Sequence, residues 1–115
     1  MNQGVFLLLL ALAGGLASVL RVLITNWSGQ LPYGLILTNS LAAAFVGVVL
    51  SGPELYPQTL AIAVVGVAGG LSTFSGVSKA AFEFWHRGRI MQMVFTLVLN
   101  LFLPLVILSL VLQLR

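Results

Sequence analysis

At 115 residues the chain is 60% hydrophobic and only 6% charged, with a mean hydropathy of +1.15. A soluble domain carries about 25% charged residues, so a water-facing globule is excluded and an integral membrane protein is expected. The net charge of +3 comes from Arg21, Lys79, Arg87, Arg89 and Arg115 against Glu54 and Glu83. These are too scattered to track a phosphate backbone, which excludes nucleic acid as a partner. No cysteine is present, so disulfides, thiolate metal sites and thiol nucleophiles are excluded as well.

A hydrocarbon core of about 30 Å needs about 20 helical residues. The chain divides into four such segments, roughly 4–25, 32–51, 57–84 and 90–114, within one transmembrane domain, 1–115. The first reads as a span and not as a cleaved leader. No basic residue precedes Arg21, and the apolar pattern continues to about Ile24. The connection "NWSGQLPY" then puts Trp27 and Tyr33 at headgroup level.

The second span carries Asn39 about 10 Å along its axis. An amide at that depth must find a partner, because lipid offers none. It serves either as interhelical glue or as a donor lining a polar path. "SGPELYP" closes this span with turn residues and opens the third at Pro57.

Inside the third span lies "GGLSTFSG", residues 69–76. Its glycines lower helix propensity, and Ser72, Thr73 and Ser75 offer side-chain alternatives to the helical ladder. A break here frees carbonyls at the end of one half-helix and N–H groups at the start of the next, suiting a cation and an anion respectively. The competing reading is a continuous, glycine-rich helix. Lys79 lies deep unless the span is interrupted, and can snorkel toward the Arg87 and Arg89 end.

After "EFWHRGR", the fourth span repeats Gln92, Thr96 and Asn100 at four-residue spacing, a polar stripe on one helix face. Uncharged hydroxyl and amide donors suit a small anion that must lose water and later leave, and the same groups also serve packing. Pro104 withholds the donor that would meet the Asn100 carbonyl. Small residues recur four apart at Ala13 and Ala17, Ala43 and Gly47, and Gly66 and Gly70, which predicts close helix packing. A lone four-helix subunit leaves little room for an internal path, so a dimer is expected. The positive-inside rule favours the Arg87 and Arg89 side as cytoplasmic with both termini outside, on a bias of two or three charges.

These residues bring a family resemblance with them. "GGLSTFSG" is similar to the "GGLTTFSTFS" segment of the Fluc, or CrcB-like, fluoride channels. "GGLASVLRV" with Arg21 and "LILTNSLAAAFVG" with Asn39 resemble that family's first and second helices. The resemblance implies an antiparallel, dual-topology dimer of four-helix subunits with the third helix broken, in the cell (inner) membrane, exporting fluoride passively through two narrow pores. It implies a structural sodium ion at the dimer interface, held by the main-chain carbonyls of Gly69 and Ser72. It assigns Asn39, Thr73, Phe74, Ser75, Thr96 and Asn100 to the fluoride pathway. Two positions depart: Val77 stands where the family has a second pore phenylalanine, and Ala80 where an acidic residue is common. Those departures leave a homodimer, a heterodimer with a related subunit of opposite orientation, and a non-conducting partner subunit all open.

A small multidrug-type proton exchanger shares the four-span dimer plan but needs a membrane-embedded carboxylate. Glu54 falls in a loop and Glu83 near a span end. No enzyme is expected: no acid pair stands at catalytic spacing, and the serines have no base within reach, His86 lying at a membrane edge.

Overall fold

The computed structural model describes residues 2–27, 29–72 and 74–114. In chain order it contains α1 (Gln3–Thr25), α2 (Tyr33–Ser51), α3 (Pro57–Ala61), a wide π-helical stretch (Ile62–Ala68), α4 (Gly69–Leu71), α5 (Phe74–His86) and α6 (Ile90–Gln113). No strand occurs among the described residues. Among the described residues, four stretches are long and apolar enough to cross a membrane: Gln3–Thr25, Tyr33–Ser51, Pro57–His86 and Ile90–Gln113. The protein is an all-α integral membrane protein.

Local chemistry sets the helix ends. Asn2 caps α1, its side-chain oxygen accepting the Val5 N–H at 2.8 Å, which satisfies one of the donors left free at a helix start. Between α1 and α2 the Gly34 N–H donates to the Trp27 carbonyl at 2.7 Å, and the Trp27 and Tyr33 rings lie 5.7 Å apart. A Cβ on Gly34 would run into the Ile24 carbonyl, so only glycine lets α2 begin against the end of α1. Helix α5 closes with Gly88 at φ +76°. The Gly88 N–H reaches the Trp85 carbonyl at 3.0 Å and the Arg89 N–H the Phe84 carbonyl at 2.8 Å, the double bond pattern of a Schellman turn.

The third span departs from the expected single break. Its hydrogen-bond register already slackens over Ile62–Ala68, and the Gly69 N–H reaches back to the Val64 carbonyl. Tight turns resume over Gly69–Leu71, and the chain then leaves helical conformation at Ser72, with φ −83° and ψ 153°. The interruption is therefore narrower than the polar run "GGLSTFSG". Gly69 and Gly70 are still helical, and Ser75 and Gly76 belong to α5.

Packing explains why those glycines are there. α1 lies along the first half of the third span, while α2 and α5 both pack on α6. A Cβ on Gly70 would sit 2.6 Å from the Gly14 carbonyl oxygen and 2.8 Å from Ala17 Cβ, and one on Gly66 3.0 Å from Ala13 Cβ. The small pairs of the first and third spans are thus seated on each other, as membrane helices require when dispersion and not hydrophobic drive holds them. Gly47 similarly admits Val111 of α6, 2.8 Å from where its Cβ would be. The buried cluster is correspondingly fine-grained: Ala17, Ala42, Ala68 and Leu71.

The subunit measures 51 × 32 × 17 Å.

Candidate functional site: a groove between α2, α6 and the interrupted span

An open groove of about 710 Å³ has walls from α2, the first half of the third span, α5 and α6. Its polar residues are Asn39, Ser72 and Asn100; Gly69, Phe74 and Val77 also face it, and alanine, valine and leucine line most of the rest. Positions as far apart in sequence as Asn39 and Asn100 meet there because α2 and α6 pack along their lengths.

The amides of Asn39 and Asn100 form the centre of the site. Asn39 Nδ2 donates to Asn100 Oδ1 at 2.9 Å, and Asn100 Nδ2 donates to the Thr96 carbonyl at 2.9 Å. Each side chain is 8% exposed. A primary amide has two N–H hydrogens and an oxygen, so these two bonds use one hydrogen of Asn100 Nδ2 and leave the other outside them. Proline at 104, inside α6 and on the groove wall, offers no N–H to the Asn100 carbonyl. The Asn100 side chain ties this stretch of α6 back to the turn before it.

The remaining positions divide. Thr96 is 0% exposed and sits behind the groove, its carbonyl engaged by Asn100. Its Oγ1 and Ser40 Oγ are both buried and meet no hydrogen-bond partner among the described residues. Phe74 is 79% exposed, its ring projecting from the start of α5 at the groove edge. Val77, one turn on, is 6% exposed. Gly69, in the last helical turn before the third-span break, and Ser72, at the break, are exposed and face the groove. Ser75 is exposed on α5 and is not among the groove residues. Thr73 lies outside the described residues. Gln92, the first member of the α6 stripe, is half-buried and does not reach the groove.

Two features escaped sequence reading. The Asn39–Asn100 bond joins residues 61 apart, and nothing local to either position announces it. Thr38 is fully buried and donates to the Leu35 carbonyl at 3.0 Å. The signal was the run "TNS", which places three polar residues in succession at 38–40, all of them buried.

The groove offers uncharged donors among apolar walls, and no acidic side chain lines it. Nor do His, Asp or Glu side chains gather anywhere among the described residues into a group able to hold a metal. A family model described as CrcB-like protein, Camphor Resistance (CrcB), matches residues 8–112. The chain belongs to the CrcB-like family. Within it, the chain is 33% identical over 101 residues to the fluoride-specific ion channel FluC of Shewanella pealeana, covering 81% of this chain and 82% of that protein. It is 32% identical over 97 residues to the channel of the same name from Leptospira interrogans, 76% of each chain. Against that of Shewanella sp. (strain ANA-3) the identity is 33% over 107 residues, 86% of each. As a CrcB-like protein with four apolar spans, it is a multi-pass protein of a cell membrane.

Proposed function

We propose that this chain is a subunit of a fluoride-specific channel that lets cytoplasmic fluoride leave passively. The observation that carries the reading is the meeting of the Asn39–Asn100 amide pair, the exposed Phe74 ring and the Ser72 break in one groove at membrane depth. The relatives' names agree with it.

The chemistry follows from the residues. A small anion entering an apolar groove loses hydration and must be offered donors that are strong yet uncharged, so that it can leave again. Amide N–H groups meet that need, and a phenylalanine ring presents its positive edge to an anion. Apolar walls lower the local dielectric and strengthen both interactions. Phe74 stands at the entrance and Asn39 and Asn100 act deeper in this reading; Thr96 supports Asn100 from behind the groove, and Ser75 and Thr73 belong to the pathway only as the family resemblance assigns them. Fluoride enters acidified cells as neutral HF and is trapped inside as the anion, so a leak driven by the gradient and the membrane potential removes it without an energy source.

The groove opens on the face of a subunit only 17 Å thick, so its far wall has to come from elsewhere. A second subunit in opposite orientation, identical or related, supplies that wall in this proposal. A structural sodium at the shared face fits the groove's donor set. A hard monovalent cation takes oxygen ligands, and the main-chain carbonyls of Gly69, in the last helical turn, and of Ser72, at the break, belong to exposed residues. The ion would supply fixed positive charge that balances the carbonyl end of the first half-helix.

A second reading, a partner subunit that does not conduct alone, is favoured by Val77. It is buried in the subunit at the position where the resemblance expects a second ring. The proton exchanger loses ground, because Glu54 and Glu83 are both exposed and away from the groove. Fluoride-electrode recordings of efflux from liposomes holding the purified chain, alone and with a related subunit, test the proposal. Efflux from the chain alone establishes a self-sufficient channel, and efflux only with the second chain establishes the partner reading. No fluoride movement in either preparation rejects the channel.

A further inference from the structure

The α5–α6 turn gathers four exposed groups in sequence: Trp85, His86, Arg87 and Arg89. Only residues 87–89 separate α5 from α6, so both helices reach the membrane boundary there and the arginines stand at headgroup level. The Schellman turn fixes their spacing, with Gly88 at φ +76° between them. At the end of α5, next to them in sequence, three rings meet. The Phe82 ring stacks on His86 at 6.0 Å and 14° and meets Trp85 at 6.1 Å. The acid on this element is Glu83, exposed one turn back on α5, and Lys79 lies a turn deeper. The net charge of the turn is therefore positive.

We propose that this turn is a binding site for the phosphate headgroup of an anionic phospholipid. Guanidinium groups present paired N–H donors that match phosphate oxygens. An indole at the interface adds a donor with an apolar body that rests against acyl chains. Loop α1–α2, at the same end of the molecule by helix count, provides an internal contrast. It carries Trp27 and Tyr33 at headgroup level but no basic residue between positions 26 and 32. The site does not depend on what the groove conducts.

The experiment reads tryptophan quenching in the full chain, reconstituted in phosphatidylcholine vesicles containing either brominated phosphatidylglycerol or the same fraction of brominated phosphatidylcholine. Trp27→Phe leaves Trp85 as sole emitter, and Trp85→Phe leaves Trp27. The expected result is stronger quenching of Trp85 by the anionic lipid, from an enrichment of about fivefold per arginine at low salt. That excess should disappear in R87Q/R89Q and shrink as salt is raised, with partial retention in R87K/R89K. Equal quenching by the two lipids overturns the proposal, and so does an excess that survives R87Q/R89Q. An equal excess at Trp27 overturns it too, since the attraction would then belong to the surface in general.

Discussion

The two halves of the third span share one apolar stretch of sequence but are built on different terms. The first half, Pro57 to Leu71, is seated on α1 through Gly66 and Gly70, so closely that neither position has room for a methyl group without displacement. The second half, α5, packs on α6, buries Val77 and Ala81 and turns Ser75, Ser78, Lys79 and Glu83 outward. Ser72, out of helical conformation, lies between them. An uninterrupted helix would lock the rotation of one half to the other. The break lets the first half meet α1 with its small face while the second places Phe74 at the groove edge.

The comparison is broken most severely from the first half. Gly70→Leu places a side chain where even the Cβ would be 2.6 Å from the Gly14 carbonyl oxygen, and backbone cannot yield as a flexible side chain does. Overpacking of this kind costs about 1–3 kcal/mol and sometimes more. The expected outcome is loss of the folded species in detergent, read as a collapse of the thermal midpoint and of the gel-filtration peak. Ser78→Leu, the same enlargement on the outer face of α5, should leave the thermal midpoint of the isolated subunit in place.

Asn39→Ala comes next and acts on the groove. Removing the donor leaves buried Asn100 Oδ1 without the bond it accepts, at a cost of about 1–3 kcal/mol. Hydrogen bonds to a charged group are worth about 1.5–3 kcal/mol, so fluoride efflux should fall at least about tenfold. Assembly survives, because the α2–α6 contact is carried by many other residues. Efflux at the wild-type rate would return Asn39 to a packing role.

Phe74→Ala separates function from stability more cleanly. The ring is largely exposed, and surface substitutions stay within about 0.5 kcal/mol. Folding should therefore be unchanged while efflux falls several-fold, by loss of the positive ring edge offered to the anion. A stability loss without a flux change would show that the ring packs against a second subunit and does not face the anion.

Much of this was legible in the sequence, for reasons that differ by residue. Hydropathy alone locates the spans, because lipid imposes a length on any helix that crosses it. The four-residue spacing of Ala13, Ala17, Gly66 and Gly70 announces a close seam, although not which pair meets which. The motif "GGLSTFSG" marks the neighbourhood of the break, but only Ser72 among its described residues leaves the helix. Gly70 is in the motif for contact with α1. The π-helical stretch was not legible. "IAVVGVA" reads as ordinary apolar helix, and its register lies where Gly66 settles onto Leu10 and Ala13. The amide pair was equally hidden, since each asparagine announces a need for a partner without naming it.

The smallest expected effect sharpens the comparison furthest. Ser78 lies on the outer face of α5, exposed beside Lys79, and Ser78→Ala should change the thermal midpoint of the isolated subunit negligibly, within about 0.5 kcal/mol. On α1 the outward residues are leucine and valine along almost the whole helix, a surface suited to lipid. The polar outer face of α5 is not, because hydroxyl and ammonium groups at that depth have no partner in acyl chains. Measured at increasing protein concentration, the same variant should then lose stability relative to wild type as a second subunit covers this face. A difference that stays near zero at every concentration would mean that α5 faces water or headgroups, and that the missing wall of the groove is supplied against α2 and α6 instead.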